Sequence, residues 1–220
     1  MSKEAVTMPV SEAELTAIRY FKVANPPMVQ IYVGPKRDLW VLPENILCDR
    51  VDYFKSAFKG GFRKGVKKTL ELPEDCPMAF GYIIDCILND EQDGNCAVNS
   101  VDDSAIHMAW CKAWALADKL GCSQIAKNVI DLYRWSMVSV AGEDLIVPPA
   151  AVKFLYGSTS DTSEMRGELA EQAVGIFENL EFLNEGAIEL WCESATSHPR
   201  FHLDVMNLMK KGQLRKRRKG

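Results

Sequence analysis

His198 and His202 stand four residues apart in HPRFH, and His107 and Cys111 stand four apart in HMAWC. On a helix that spacing puts both side chains of a pair on one face, which is half of a tetrahedral zinc site. The other half is missing. No second pair has metal-ligand spacing, and HPRFH lacks the glutamate of a zinc-protease helix. A cysteine nucleophile needs a neighbouring base or a helix N-terminus to favour its thiolate. Cys76 lies near a helix start, but Asp75 beside it opposes the thiolate, and Cys122 only precedes a helix cap. Gly60-Gly61-Phe62-Arg63-Lys64-Gly65 has the glycines and bases of a phosphate cradle. It follows a helix and precedes a strand, the reverse of the order such a cradle needs. The expectation is therefore no catalytic residue, no metal, no cofactor and no small-molecule substrate: a chain that is not an enzyme.

The remaining chemistry is charge and thiol content. The chain has 220 residues, 47% apolar and 25% charged, the composition of a globular protein with a sizeable core. Its formal net charge is −4, and removing the seven bases of the last eleven residues leaves −11 on the rest. Arg215, Lys216, Arg217, Arg218 and Lys219 form a basic tail suited to nuclear import or to contact with a polyanion. With no aromatic residue for base stacking, that tail gives no reason to expect sequence-specific nucleic-acid recognition. The seven cysteines, at 48, 76, 86, 96, 111, 122 and 192, are odd in number and form no CxxC pair. That pattern reads as reduced, mostly buried thiols of a cytoplasmic or nuclear protein. No apolar run is long enough to span a membrane, and the first residues lack the apolar core of a signal peptide.

These residues must be positioned by a chain of short elements. Ser11-Glu12-Ala13-Glu14 has capping-box spacing and opens a short helix through Leu15, Ile18 and Phe21, stopped at Asn25-Pro26-Pro27. Val29–Val33 and Leu39–Leu42 read as a hairpin around Gly34-Pro35. Pro43 opens a helix to about Phe58, with Ile46, Leu47, Tyr53, Phe54 and Phe58 inward and Gly60-Gly61 as its end. A third strand runs from Lys67 to Pro73. A helix from Pro77 turns Phe80, Ile83, Ile84, Ile87 and Leu88 inward. Residues 89–100 are turn-rich. Ser100-Val101-Asp102-Asp103 caps a helix bearing Trp110, Ala113, Leu116 and Ala117, and Gly121 closes it. Ser123 caps the next, with Val129, Tyr133 and Met137 inward. After a Gly- and Pro-rich break over 139–162, interrupted by an apolar stretch from Ala150 to Tyr156 that reads as a docked turn, come helical patterns at about 163–177, 184–193 and 199–211. Of the five tryptophans, 40, 110, 114, 135 and 191, most are expected in helix packing, and an exposed one would mark a partner surface.

From about Val29 to Trp135 this order resembles a BTB/POZ domain. Trp40, Pro43, Leu47, Tyr53 and Phe54 match the family's spacing of strand aromatic, helix start, leucine and aromatic pair. Phe58-Lys59-Gly60-Gly61-Phe62 is similar to its aromatic-glycine exit. Leu70-Glu71-Leu72-Pro73-Glu74-Asp75 with Phe80 is similar to its strand, acidic turn and inward Phe. Ala117-Asp118-Lys119-Leu120-Gly121 is similar to its helix end. The Leu47-Cys48 pair and the short C-terminal helices resemble the stand-alone BTB proteins of filamentous fungi. Pro43 replaces the usual His, and Val51 the usual Ser. Met28-Val29 stands where the family has an acid, so the groove of some dimeric transcriptional relatives does not carry over. Nor does the hydrophobic-x-Glu motif of cullin-recruiting relatives, since residues 89–91 read Asn-Asp-Glu.

The resemblance implies an α/β (α+β) fold: a small sheet capped by a helical cluster, with a C-terminal helical extension. Its expected layout is an N-terminal segment 1–27, a BTB/POZ-like domain 28–137, a linker 138–162, helices 163–211 and a basic tail 212–220. The function it implies is protein–protein interaction, as an adaptor or a self-associating (homodimeric) scaffold, in one version a substrate adaptor of a cullin-based ubiquitin ligase. The alternative is a nuclear BTB-type regulator whose basic tail contacts nucleic acid or serves nuclear import.

Overall fold

The computed structural model describes residues 26–60, 67–89, 106–139, 146–179 and 184–219. The expected helix from Ser11, the second glycine at 61, and the loop and cap between 90 and 105 lie outside them. The described chain is α+β: a three-stranded mixed sheet and a larger set of helices.

Strand β1 (Met28–Val33) is central, between β2 (Asp38–Pro43) and β3 (Thr69–Leu72). It runs antiparallel to β2 and parallel to β3, with Ile31 opposite both Trp40 and Leu70. Period-two alternation sends Val29, Ile31, Val33, Leu70 and Leu72 into the core. The hairpin turns at Gly34, whose φ of +74° suits glycine. A Cβ there would also stand 3.0 Å from the Pro77 ring.

The helix expected from Pro43 to Phe58 is two helices, α1 (Glu44–Arg50) and α2 (Asp52–Lys59). Val51 between them is extended, at φ −135° and ψ 113°. A β-branched residue before an aspartate favours this break: valine loses side-chain freedom in a helix, and Asp52 is stabilised in the first turn of a new one. Ile46, Leu47, Phe54 and Phe58 are buried as expected, whereas Tyr53 is half-buried at the edge. Glu44 is buried and holds two distant segments. Its N–H donates to Pro27 O at 2.8 Å, and its carboxylate receives Lys68 Nζ at 2.6 Å. Lys68 is a left-handed corner (φ 52°) rather than part of the third strand, and its ammonium also donates to Phe58 O.

Helix α3 (Pro77–Asn89) buries Phe80, Ile83, Ile84 and Ile87, with Leu88 half-buried. Trp40 packs edge-on against Phe80 at 5.3 Å. Helix α4 (Ile106–Lys119) ends in a Schellman motif: Cys122 N–H donates to Ala117 O and Gly121 N–H to Asp118 O, with Gly121 at φ +72°. Helix α5 (Ser123–Ser139) starts from the Cys122 carbonyl, so Cys122 rather than Ser123 occupies the boundary position.

Residues 138–162, read as a linker, contain helix α6 (Pro149–Ser158). Its Ala151, Val152 and Leu155 are fully buried and it packs against α4. The apolar stretch Ala150–Tyr156 is thus helix rather than a docked turn: Pro148 and Pro149 start the helix instead of breaking it. Helix α7 (Glu164–Phe177) is capped by Ser163, and α8 (Glu185–Thr196) by Asn184, whose Oδ1 accepts from Ala187 N–H at 2.8 Å. Helix α9 runs from Pro199 to Lys219, past the expected end at Lys211 and through the basic tail. Lysine and arginine are good helix formers and suit a helix C-terminus, which offsets the single Gly212. One contiguous apolar cluster runs from Val29 to Val205 and takes in α6, α7 and α9.

Arg166 of α7 is buried, at 6% exposure, near the positive end of its own helix. It is held there by Asp161 (2.8 Å), the Thr159 hydroxyl (2.9 Å) and carbonyl, the Tyr156 carbonyl (2.9 Å) and the Tyr156 ring beneath its guanidinium. Asp161 also receives Arg200 of α9 at 2.6 Å, and the Tyr156 hydroxyl donates to Asp204 at 2.7 Å. Replacing Arg166 by Met takes the guanidinium donors from the Tyr156 and Thr159 carbonyls and one of the two arginines from Asp161. Arg166→Met should cost about 3 kcal/mol, read as a lower urea midpoint at unchanged slope.

Candidate functional site

The residues singled out for chemistry do not converge. His107 is buried and pairs with the Tyr133 hydroxyl through Nδ1 at 3.1 Å, while Cys111 is fully buried with its thiol pushed up to about 12 by desolvation. Tyr133 is likewise held in its neutral form by burial. His198 faces the Tyr156 ring and accepts from Arg200 N–H, whereas His202 is exposed. Cys76 precedes α3, far along the chain from any of them, with its carbonyl accepting from Phe80 N–H. Burial raises Cys122 to about 11, with Cys86 adding to the effect. Among the described residues no three His, Cys, Asp or Glu side chains group to hold a metal, and no disulfide joins the six described cysteines. Gly61–Gly65 lie outside the described residues. Arg215–Lys219 form the last turns of α9. No described helix is long and apolar enough to cross a membrane.

The surface offers an apolar groove instead. It is an open cavity of about 470 Å³ between α8 and α9, floored by Trp191, Ala195 and Val205 and walled by Phe177, Met206 and Met209. The Trp191 N–H donates to Ala173 O of α7 at 2.9 Å, which fixes the indole. Its ring lies 5.2 Å from the Phe177 ring. Behind Trp191, Ile146, Ile176 and Ala187 form a small second cluster that backs the floor. Met206 is 50% exposed, and His202 and Lys210 stand at the rim. A larger cavity, about 570 Å³, lies beside Asp75 and Cys76, and the Asp75–Lys119 ion pair at 2.6 Å is part of its lining.

Tryptophan alone was an ambiguous signal. Trp110 and Trp114 are core, Trp40 is half-buried, Trp191 floors the groove, and Trp135 is 71% exposed on α5. Met206 and Met209 were not singled out by sequence reasoning, although a signal exists for Met206. With Phe201 as origin, Val205, Leu208 and Met209 fall within about 80° around α9, whereas Met206 and Leu203 fall about 140° and 160° away, off the core stripe.

Compared with models of known protein families and with curated protein sequences, the chain matches none.

Thiol labelling follows from these environments. Iodoacetamide at pH 8 should modify Cys192, exposed beside the groove, before any other described cysteine. Cys111 should stay unmodified until the protein is unfolded. Peptide mass spectrometry over time reads the order, and early modification of Cys111 would show that its helix opens.

Proposed function

We propose that this chain is a BTB/POZ-type protein–protein interaction module, an adaptor or self-associating scaffold, whose C-terminal helices receive a partner. The carrying observation is the α8–α9 groove, with its hydrogen-bonded Trp191 and its flexible methionine wall. A fixed aromatic floor contributes contact area at little entropic cost, and methionines adapt to the shape of what enters. An amphipathic helix with apolar residues at i, i+3 and i+7 fits such a groove. Lys210 at the rim and the bases that follow it favour a partner with acidic flanks. The residue spacing that resembles the BTB family supports the same class of function, and the cullin adaptor is its narrower form.

The test is light scattering after size exclusion, on the chain alone and mixed with a cullin N-terminal domain. A co-eluting complex is the expected result for the ligase-adaptor form. Met206→Glu should weaken that complex about tenfold or more, while shifting the melting temperature by less than about 2 °C because Met206 is already half exposed. A dimer alone, with no cullin complex, leaves the self-associating scaffold as the reading. A monomer that takes no part in either removes both forms.

A second reading has one observation in its favour. Helix α9 continues to Lys219, so Arg215–Lys219 are carried on a helix rather than on a separate tail. A nuclear regulator would use that end against nucleic acid. Five phosphate contacts give a slope of about −4.5 in log affinity against log salt on nonspecific duplex DNA. A flat salt dependence would remove this reading.

A further inference from the structure

Four side chains that line the groove between α8 and α9 carry soft or borderline donor atoms: the Cys192 thiol, the His202 imidazole and the Met206 and Met209 thioethers. His202, Met206 and Met209 stand at i, i+4 and i+7 on α9 and fall within about 60° around its axis. The rise along this stripe is about 6 Å from His202 to Met206 and about 4.5 Å more to Met209. Cys192 enters from α8, the other wall, and Ser197 and His198 join the two helices. Thiol and imidazole both stand within about a turn and a half of that connection.

Among the described residues these donors are not committed elsewhere. Cys192 is exposed and joins no disulfide. His198, at metal spacing from His202, faces the Tyr156 ring instead and leaves His202 to the groove. His202 engages only its backbone, its N–H donating to His198 O at 3.0 Å. The Thr196 hydroxyl, also in the lining, donates back to the Cys192 carbonyl of its own helix. No carboxylate is among the described lining residues, so a hard divalent cation finds no oxyanion ligand there. Lys210 is exposed at the rim, where water and salt screen its charge. Trp191 and Phe177 close the far side with apolar surface, which limits the access of competing water. Thiolate, imidazole and thioether together suit a soft monovalent ion, and thioethers disfavour zinc.

We propose that the groove binds one Cu(I) ion through Cys192, His202 and Met206, with the flexible Met209 as a fourth, adaptable ligand. The ion displaces the thiol proton of Cys192 on entry. The site needs no protein partner and stands apart from the reading of the groove as a helix receptor.

The test is titration of the reduced, full-length chain with Cu(I), supplied without oxygen as its bicinchoninate complex, with Zn(II) run in parallel. One Cu(I) per chain should leave the chelator, and it should slow iodoacetamide modification of Cys192 at least about tenfold. Zn(II) should leave Cys192 as reactive as before. Cys192→Ser should lose that equivalent of Cu(I). Met206→Leu, close in volume and at a half-exposed position, should weaken Cu(I) binding by at least the roughly tenfold that even outer-shell changes cost, at an unchanged melting temperature. Cu(I) that stays with the chelator overturns the proposal. So does uptake that Cys192→Ser leaves unchanged, which places the ion on other thiols. Affinity unmoved by Met206→Leu and Met209→Leu together overturns it by removing the thioethers as ligands. Protection of Cys192 by Zn(II) as strong as by Cu(I) overturns the soft-ion assignment as well.

Discussion

A guanidinium cannot be buried without a full set of partners, and Arg166 is the buried charge on which the C-terminal half depends. Stripping water from such an ion costs several kcal/mol, and the positive end of its own helix adds to the cost. The turn between α6 and α7 offsets this. It folds the Tyr156 and Thr159 carbonyls, the Thr159 hydroxyl and Asp161 around one side chain. Asp161 and Tyr156 then reach on to Arg200 and Asp204, so the same turn fixes the position of α9. Trp191 hydrogen-bonds back to α7, which seats α8 in the same frame. The groove between α8 and α9 is thus set by polar contacts made behind it, leaving its own lining free to be apolar.

The other end of the molecule is organised in the same manner by Glu44. Its backbone holds Pro27, its carboxylate holds Lys68, and the Lys68 ammonium bridges on to α2. Three segments far apart in sequence meet at this one residue. The left-handed Lys68 is tolerated because both its ammonium contacts reward that corner. In each half a paired charge fixes the frame, while hydrophobic burial through the common core supplies the bulk driving force.

The elements most legible in the sequence were those whose periodicity is unambiguous: the β1–β2 hairpin, the inward stripe of α3, and the end of α4 at Gly121. Less legible was anything decided by neighbours. Val51 breaks a continuous apolar pattern, and only its extended backbone reveals the division into α1 and α2. Helix α6 reads as no more than a turn because prolines and glycines flank a short run, and its burial comes from α4, 30 or more residues earlier. The groove residues were harder still. Trp110 and Trp191 have similar local patterns, yet one enters the core and the other floors an open surface.

The sequence by itself determined an α+β chain, with strand alternation in 28–43 and helical stripes that each require a partner surface. It also determined the charge asymmetry, because that is a sum over residues and needs no fold. Only the tertiary structure decided which apolar side chains remain at the surface. Helical periodicity specifies a face, but burial of that face depends on how much area the neighbouring elements present. Phe177, Met206, Leu39 and Val41 are where that area runs out, and no local pattern records it.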